Sequence, residues 1–296
     1  MLHTYPFQES PYALPNDAPE HERLEVQARH LSNIMNGQII HNPIPPPGKA
    51  DMTMLDVGCG TGIVTDYLGR RFPEAKVFGL DLSPVPQRKE ARPQNVKLLQ
   101  GNVITGKANE WTSSPFEREA ELFDLIFSRL LVCGLPDWDA YIRRAYQMLK
   151  PGGYLEIHDM DWIWYKNHSS DPKDIVSNTW PWWAEHVAPA GEAKGLDWSC
   201  ASNAARRMRD AGFVDVKVEK YRWPWGGDWE KETVWKEFGD YVHLEMVRLI
   251  WHMIPRLVKD AGDEEVKKLR EEMVRDLRPE EGKVWWMYVT VGKKPE

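Results

Sequence analysis

The sequence lacks an excess of basic charge: 38 lysines and arginines stand against 45 acids, a net charge of −7. A protein that coats nucleic acid or lies on an anionic membrane needs the opposite balance, so neither partner is expected. Long apolar runs are missing too. The best, from Leu125 to Leu135, is broken by Ser128 and Arg129 and falls far short of the ~20 residues of a spanning helix. The opening Met-Leu-His-Thr-Tyr-Pro has no basic stretch leading into an apolar one, so no secretion signal is expected. Cysteine is scarce. Cys59, Cys133 and Cys200 are odd in number, far apart and without a C-x-x-C pair, which fits reduced thiols in a cytoplasmic protein.

What is present is apolar material for a sizeable core, 42% of 296 residues, and an unusual amount of tryptophan. Thirteen of the 15 tryptophans fall between Trp162 and Trp286, so the two halves of the chain differ chemically. Residues 1–50 read as a capping helix and a linker. Asn16 or Asp17 caps the helix, Pro19 suits its first turn, and Leu24, Ala28, Leu31 and Met35 recur at helical spacing. Pro45-Pro46-Pro47-Gly48 reads as a stiff linker. Residues 51–296 read as one domain, with strands at about 53–57, 76–81, 96–100, 122–127 and 153–159 and helices at about 62–72 and 138–149. That alternation predicts an α/β fold with an open parallel sheet. Helices near 202–211, 231–252 and 263–278 follow, with a sixth strand at 213–218 and a last one at 284–291. Insertions at about 162–200 and 221–283 are expected to form a helical, Trp-rich lid.

The chemistry is concentrated in Asp56-Val57-Gly58-Cys59-Gly60-Thr61-Gly62, where a strand meets a turn with glycines at alternate positions and a helix opens. Glycine lets the backbone turn tightly and a ligand approach it, and the helix start offers free N–H groups. The dinucleotide fingerprint would need its third glycine at Ile63, and no Gly-Lys-Ser/Thr follows for a phosphate loop. The next strand ends in Asp81, a carboxylate placed to accept both ribose hydroxyls of a nucleoside lying over the first strand.

With these residues the sequence resembles the class I S-adenosylmethionine-dependent methyltransferases. Asp56 through Gly62 matches their D-x-G-x-G-x-G motif, and Asp81 their ribose-binding acid. Gly101-Asn102-Val103 stands where the family usually has Gly-Asp beside adenine. The Asn102 carbonyl is expected to accept from the adenine amino group. Tyr12-x-Leu14-Pro15-x-Asp17, with Glu20, Arg23, Leu24 and Gln27, resembles the opening of fungal LaeA-like methyltransferases of secondary metabolism. Asp81-Leu82-Ser83-Pro84, Arg129 and Asp137-Trp138 match the same group, which often has a histidine where Phe127 stands. The resemblance implies a seven-stranded Rossmann-like methyltransferase sheet whose last strand is antiparallel. It also implies S-adenosyl-L-methionine as cofactor, bound by Asp56, Gly58, Cys59, Gly60, Gly62, Asp81, Leu82, Asn102, Val103 and Ser128.

His158 follows the fifth strand and is the candidate general base. Trp162 and Trp164 share its face if the strand continues, and with Tyr165 they are expected to wall the acceptor. A metal held by His158, Asp159 and Asp161 is not expected, since no further acid stands at a suitable spacing. The expected reaction is methyl transfer to an O or N atom of a small, largely apolar, aromatic metabolite. Two alternatives stay open: a cyclase that binds the sulfonium without transferring methyl, and a LaeA-like regulatory protein, which could be nuclear.

Overall fold

Asp17 opens the first helix as its position predicts: its carboxylate accepts the Glu20 backbone N–H at 3.0 Å, and a proline sits in the first turn. This helix, α1 (Ala18–Ile34), buries Gln27, Ala28, Leu31 and Ile34. The computed structural model describes residues 17–43, 51–88, 90–116, 122–279 and 282–296. The part of the resemblance at 12–15 and the proline linker at 45–48 lie outside them.

Strands and helices then alternate: β1 (Thr53–Val57), α2 (Ile63–Arg71), β2 (Lys76–Asp81), β3 (Val96–Gln100), β4 (Phe123–Arg129), α3 (Trp138–Met148) and β5 (Leu149–Met160). After β5 come short turns, α4 (Ala188–Glu192), α5 (Cys200–Asp210), β6 (Val214–Pro224), α6 (Thr233–Leu257), α7 (Asp263–Asp276) and β7 (Val284–Lys293). One sheet results, in the order β3-β2-β1-β4-β5-β7-β6. β7 runs antiparallel to both its neighbours, and the other pairings are parallel. This is the expected Rossmann-like methyltransferase sheet. The chain leaves β1 toward β2 and β3, then crosses back to β4 on the other side. That reversal opens a crevice at the carboxyl ends of β1 and β4.

Strand boundaries differ most from the expectation in two places, β5 and β6. β5 begins at Leu149 rather than 153, because a register shift between Phe123 and Leu125 accommodates Pro151-Gly152-Gly153. β6 runs on to Pro224, which pairs Trp223 with Trp285 inside the sheet.

Side chains alternate between the two faces. Leu55, Ile126, Leu155 and Ile157 pack with Tyr141 and Ile142 of α3, while Met54, Val77, Leu125 and Phe127 pack with Val64 and Leu68 of α2. The tryptophans form a third mass. Trp164 lies 4.8 Å from Trp285 and 5.8 Å from Trp225 between ring centroids, and Trp162 lies 5.2 Å from Trp285 and 5.8 Å from Trp183. All five are buried. Indoles bury about 150–250 Å² each, so at about 25 cal/mol per Å² each contributes several kcal/mol. The tryptophan-rich half is packed core at the β7 end of the sheet.

Candidate active site at the strand-order reversal

Gly58 and Gly60 follow β1 with φ of +66° and +55°, a conformation side chains rarely adopt. A Cβ on Gly58 would run into the Leu131 side chain, and one on Gly60 would touch Leu24 of α1 at 3.4 Å. The loop is held against β2 by the N–H groups of Gly58 and Cys59, which donate to the Leu80 carbonyl at 2.8 and 3.1 Å. Buried Asp56 accepts from Thr65 Oγ1 at 2.6 Å and so ties β1 to α2. Burial pushes its carboxyl up to about 7, against the pull of that hydrogen bond. Asp81, at the end of β2, accepts from Gly60 N through one oxygen and from Ser83 N through the other, each at 2.9 Å. Burial raises this carboxyl as well. Each Asp81 oxygen keeps a second lone pair for a ligand hydroxyl.

These groups border a cavity of about 290 Å³. Asp56, Gly58, Cys59, Gly60, Asp81, Leu82, Asn102 and Val103 are all on its wall, brought together by the carboxyl ends of β1, β2 and β3. A nucleoside fits this donor set: acid for hydroxyls, glycine loop for close approach, and apolar Leu82 and Val103 for a flat base. The Cys59 thiol is pushed well up by burial and serves packing, as its small size suggested.

Two other expected contacts, Gly62 and Ser128, are not on the wall. Gly62 begins α2 with φ +78°, and a Cβ there would meet the Arg92 guanidinium rather than the cavity. Ser128 is buried within β4, and its neighbour Arg129 reaches the wall instead. Asn102 is on the wall, but its Oδ1 accepts from the N–H groups of Ile104 at 2.8 Å and Thr105 at 3.1 Å. Both lone pairs of that oxygen are therefore used in a turn, so it does not accept from adenine as expected.

His158 is fully buried and off the cavity, with Nε2 2.6 Å from Glu156 Oε1. Burial lowers its pKa, the Glu156 carboxylate opposing. Asp159 points to the opposite face, where it accepts Leu131 N at 2.6 Å. Asp161 accepts the N–H groups of Ala201 and Ser202 at 3.0 and 3.1 Å, at the start of α5. That contact turns the chain away from the crevice. Trp162 and Trp164 are thereby carried into the tryptophan core, and Tyr165 bridges to Ile175 and Val284. None of the three walls the cavity.

The wall also includes groups that the sequence reading did not assign. α1 supplies Glu20, His21, Leu24 and Gln27, and the segment after β4 supplies Leu130, Leu131, Leu135 and Pro136. Leu130 holds φ +57°, a strained conformation placed at the cavity edge. The resemblance at Glu20, Leu24 and Gln27 was the available signal, but it named no role. α1 is fastened by Arg88, which bonds Glu25 of α1 and Asp66 of α2, both at 2.7 Å.

Comparison with known proteins agrees with the fold. The family described as a methyltransferase domain matches residues 29–218. Methyltransferase pytC of Aspergillus terreus is 28% identical over 237 residues, which cover 80% of this chain and 67% of pytC. The secondary metabolism regulator LAE1 of Cochliobolus heterostrophus is 26% identical over 239 residues, 80% of this chain and 73% of LAE1. Among solved structures, Haemonchus contortus phosphoethanolamine N-methyltransferase 2 in complex with S-adenosyl-L-methionine aligns with a TM-score of 0.45 and 18% identity. The alignment covers 93% of this chain and 52% of that one, so this chain spans about half its length.

Proposed function

We propose, from the premise that this chain belongs to the methyltransferase-domain family, that it moves a methyl group from S-adenosylmethionine to an O or N atom of a small, largely apolar secondary metabolite. The observation that carries this reading is the two-sided cavity. One side is the glycine loop with Asp81, and the other is aliphatic, made by Leu24, Leu130, Leu131 and Leu135.

S-adenosylmethionine, when bound, supplies a methyl group activated by a sulfonium. The chain's own residues bind, orient and dry the site. The start of α2 would hold the amino-acid end, where its N–H groups favour a carboxylate, and the Gly58–Gly60 loop, without side chains at its two glycines, would let that end approach closely. Asp81 would accept the ribose hydroxyls, and Leu82 and Val103, on the same wall, would flank the base. α1 closes the opening with Leu24 and excludes water, so the aliphatic wall favours dispersal of the sulfonium charge over its solvation. Holding the acceptor in line with the S–CH₃ bond supplies much of the remaining acceleration. His158 is off the wall, and His21 of α1 is the imidazole that stands on it, the candidate to act as general base.

Small-molecule sites span about 300–1,000 Å³, so a cavity at the lower end accommodates one ligand well. The acceptor enters once α1 or the 130–137 segment gives way. An aliphatic wall suits an apolar acceptor without requiring an aromatic one. The two relatives carry names of different roles, a methyltransferase for pytC and a secondary metabolism regulator for LAE1. The likeness to LAE1 supports a second reading, in which the acceptor belongs to a regulatory complex.

Incubating the protein with S-adenosylmethionine and a fungal metabolite extract, followed by mass spectrometry, is the direct test. A product heavier by one methylene unit, absent with Asp81→Ala, is expected. A product of unchanged mass would mark cyclisation and overturn the proposal. A regulatory effect that survives Asp81→Ala in cells would overturn methyl transfer as its cause.

A further inference from the structure

On the α2 face of the sheet, one strand away from Arg129, three side chains meet that neither the cavity nor the methyl-transfer reading uses. Glu156 and His158 stand two residues apart on β5 and share a face; His41 comes from the segment after α1. Glu156 Oε1 lies 2.6 Å from His158 Nε2 and 3.6 Å from His41 Nδ1. One ligand atom from each of the three lies within 4.8 Å of the others. Glu156 and His158 are fully buried, and the His41 side chain is 2% exposed.

We propose that His41, Glu156 and His158 form a site for one divalent transition metal of the zinc type, which pins the segment after α1 to the sheet. Two imidazole nitrogens and one carboxylate are the donor set such an ion takes, at about 2.0–2.2 Å from each. Magnesium and calcium are disfavoured, because they ask for shells of oxygen. The contact between His158 and Glu156 has to lengthen by under about 1 Å to admit the ion, which a small ring rotation provides.

Two features separate this cluster from a plain hydrogen-bonded strap. A strap accounts for the bonds that Glu156 accepts from the backbone N–H groups of His41 at 2.8 Å and Asn42 at 2.9 Å. It does not account for two imidazoles converging on one carboxylate oxygen while His41 Nδ1 and Asn42 Oδ1 are buried without partners. The surroundings also orient the ligands as metal sites do. Asn42 Nδ2 fixes the second Glu156 oxygen. The other ring nitrogen of His41 sits 2.7 Å from Tyr221 Oη, which donates to Glu219 at 3.2 Å. An imidazole with its far nitrogen tied through a hydroxyl to a carboxylate is fixed in tautomer and direction. Asn42 Oδ1 or a water completes a fourfold shell.

The full chain, purified without a histidine tag and stripped with chelator, is the material for the test. Cobalt(II) is titrated in and followed by visible absorption; zinc content is then measured by elemental analysis after gel filtration. About one equivalent per chain, with a visible tetrahedral cobalt spectrum and a raised melting temperature, is expected. His41→Ala should retain less than a tenth of that, and His41→Gln, which keeps a side chain able to reach Tyr221, should behave alike. Both variants lie outside the sheet, and their S-adenosylmethionine titration reports whether they fold. No retained metal in the wild type, or equal retention in wild type and both variants, overturns the site.

Discussion

Asp81 links the glycine loop to the cavity, because its two oxygens fix Gly60 and Ser83 while each keeps a lone pair for a ligand. Asp81→Ala is expected to weaken S-adenosylmethionine binding by about 1.5–3 kcal/mol, measured by calorimetric titration. Equal affinity in variant and wild type would remove Asp81 from the donor site. His158 carries the opposite expectation. It touches Glu156 and the Phe127 ring, whose centroid is 4.9 Å away, and no part of the cavity. His158→Gln should change kcat less than about threefold while lowering the melting temperature, since buried Glu156 loses a hydrogen-bond partner. A loss of about 10² in kcat with unchanged stability would restore His158 as the base. Nothing in the local sequence separates these outcomes. A histidine at the end of a strand reads the same whether it faces a ligand or a buried glutamate.

At the scale of elements, α1 is the part that closes the cavity, and charge fastens it. Asp66 in the first turn of α2 is fully buried and is bonded by Arg88 at 2.7 Å and Arg92 at 3.0 Å. Arg88 extends the network to Glu25 of α1. Arg88→Met leaves Asp66 with one partner and cuts the tie to α1. Breaking a buried pair costs about 3–5 kcal/mol, and the half-exposed Glu25 end lowers that to about 2–3. Chemical denaturation should show this loss, and the donor dissociation constant should rise with it, because Leu24 and His21 shift with the helix. A lowered stability with unchanged donor affinity would mean that α1 covers the cavity without the latch. The elements themselves were legible: Asp17 with Pro19, the glycine loop, and Asp81 ending an apolar strand are each local signals. The latch was not, because Glu25, Asp66 and Arg88 lie on three separate segments and no spacing rule joins them. The same holds for His41 and Glu156, separated by 115 positions.

For the whole molecule, composition announced that the two halves differ but did not say which half holds the ligand. Thirteen tryptophans looked like a binding wall, and nine of them lie buried in a core, because the chain turns at Asp161 and folds back onto β7. Trp164→Ala, fully buried among indoles, should cost about 3–5 kcal/mol while the folded fraction binds S-adenosylmethionine as tightly as wild type. A raised dissociation constant in the folded fraction would return the tryptophans to the site. The cavity end has its own stability signature, set by pH. Burial holds the Asp56 carboxyl at about 7 in the folded chain, against an ordinary value of 3.8 when unfolded. Between these values the folded chain keeps a proton that the unfolded chain has released. Stability from this group is therefore complete below about pH 4 and is lost as the pH rises through 7. Asp81 shifts in the same direction, so these two carboxyls together lower the stability of the ligand-free protein across this window. Asp56→Asn keeps an acceptor for Thr65 and removes the titration, which should flatten the slope by up to about 1.4 kcal/mol per pH unit. Denaturant unfolding at pH 5, 6 and 7 reads that slope in both proteins. A variant slope equal to that of the wild type would mean that Asp56 ionises normally beneath the glycine loop, its charge balanced by Arg129 across the crevice.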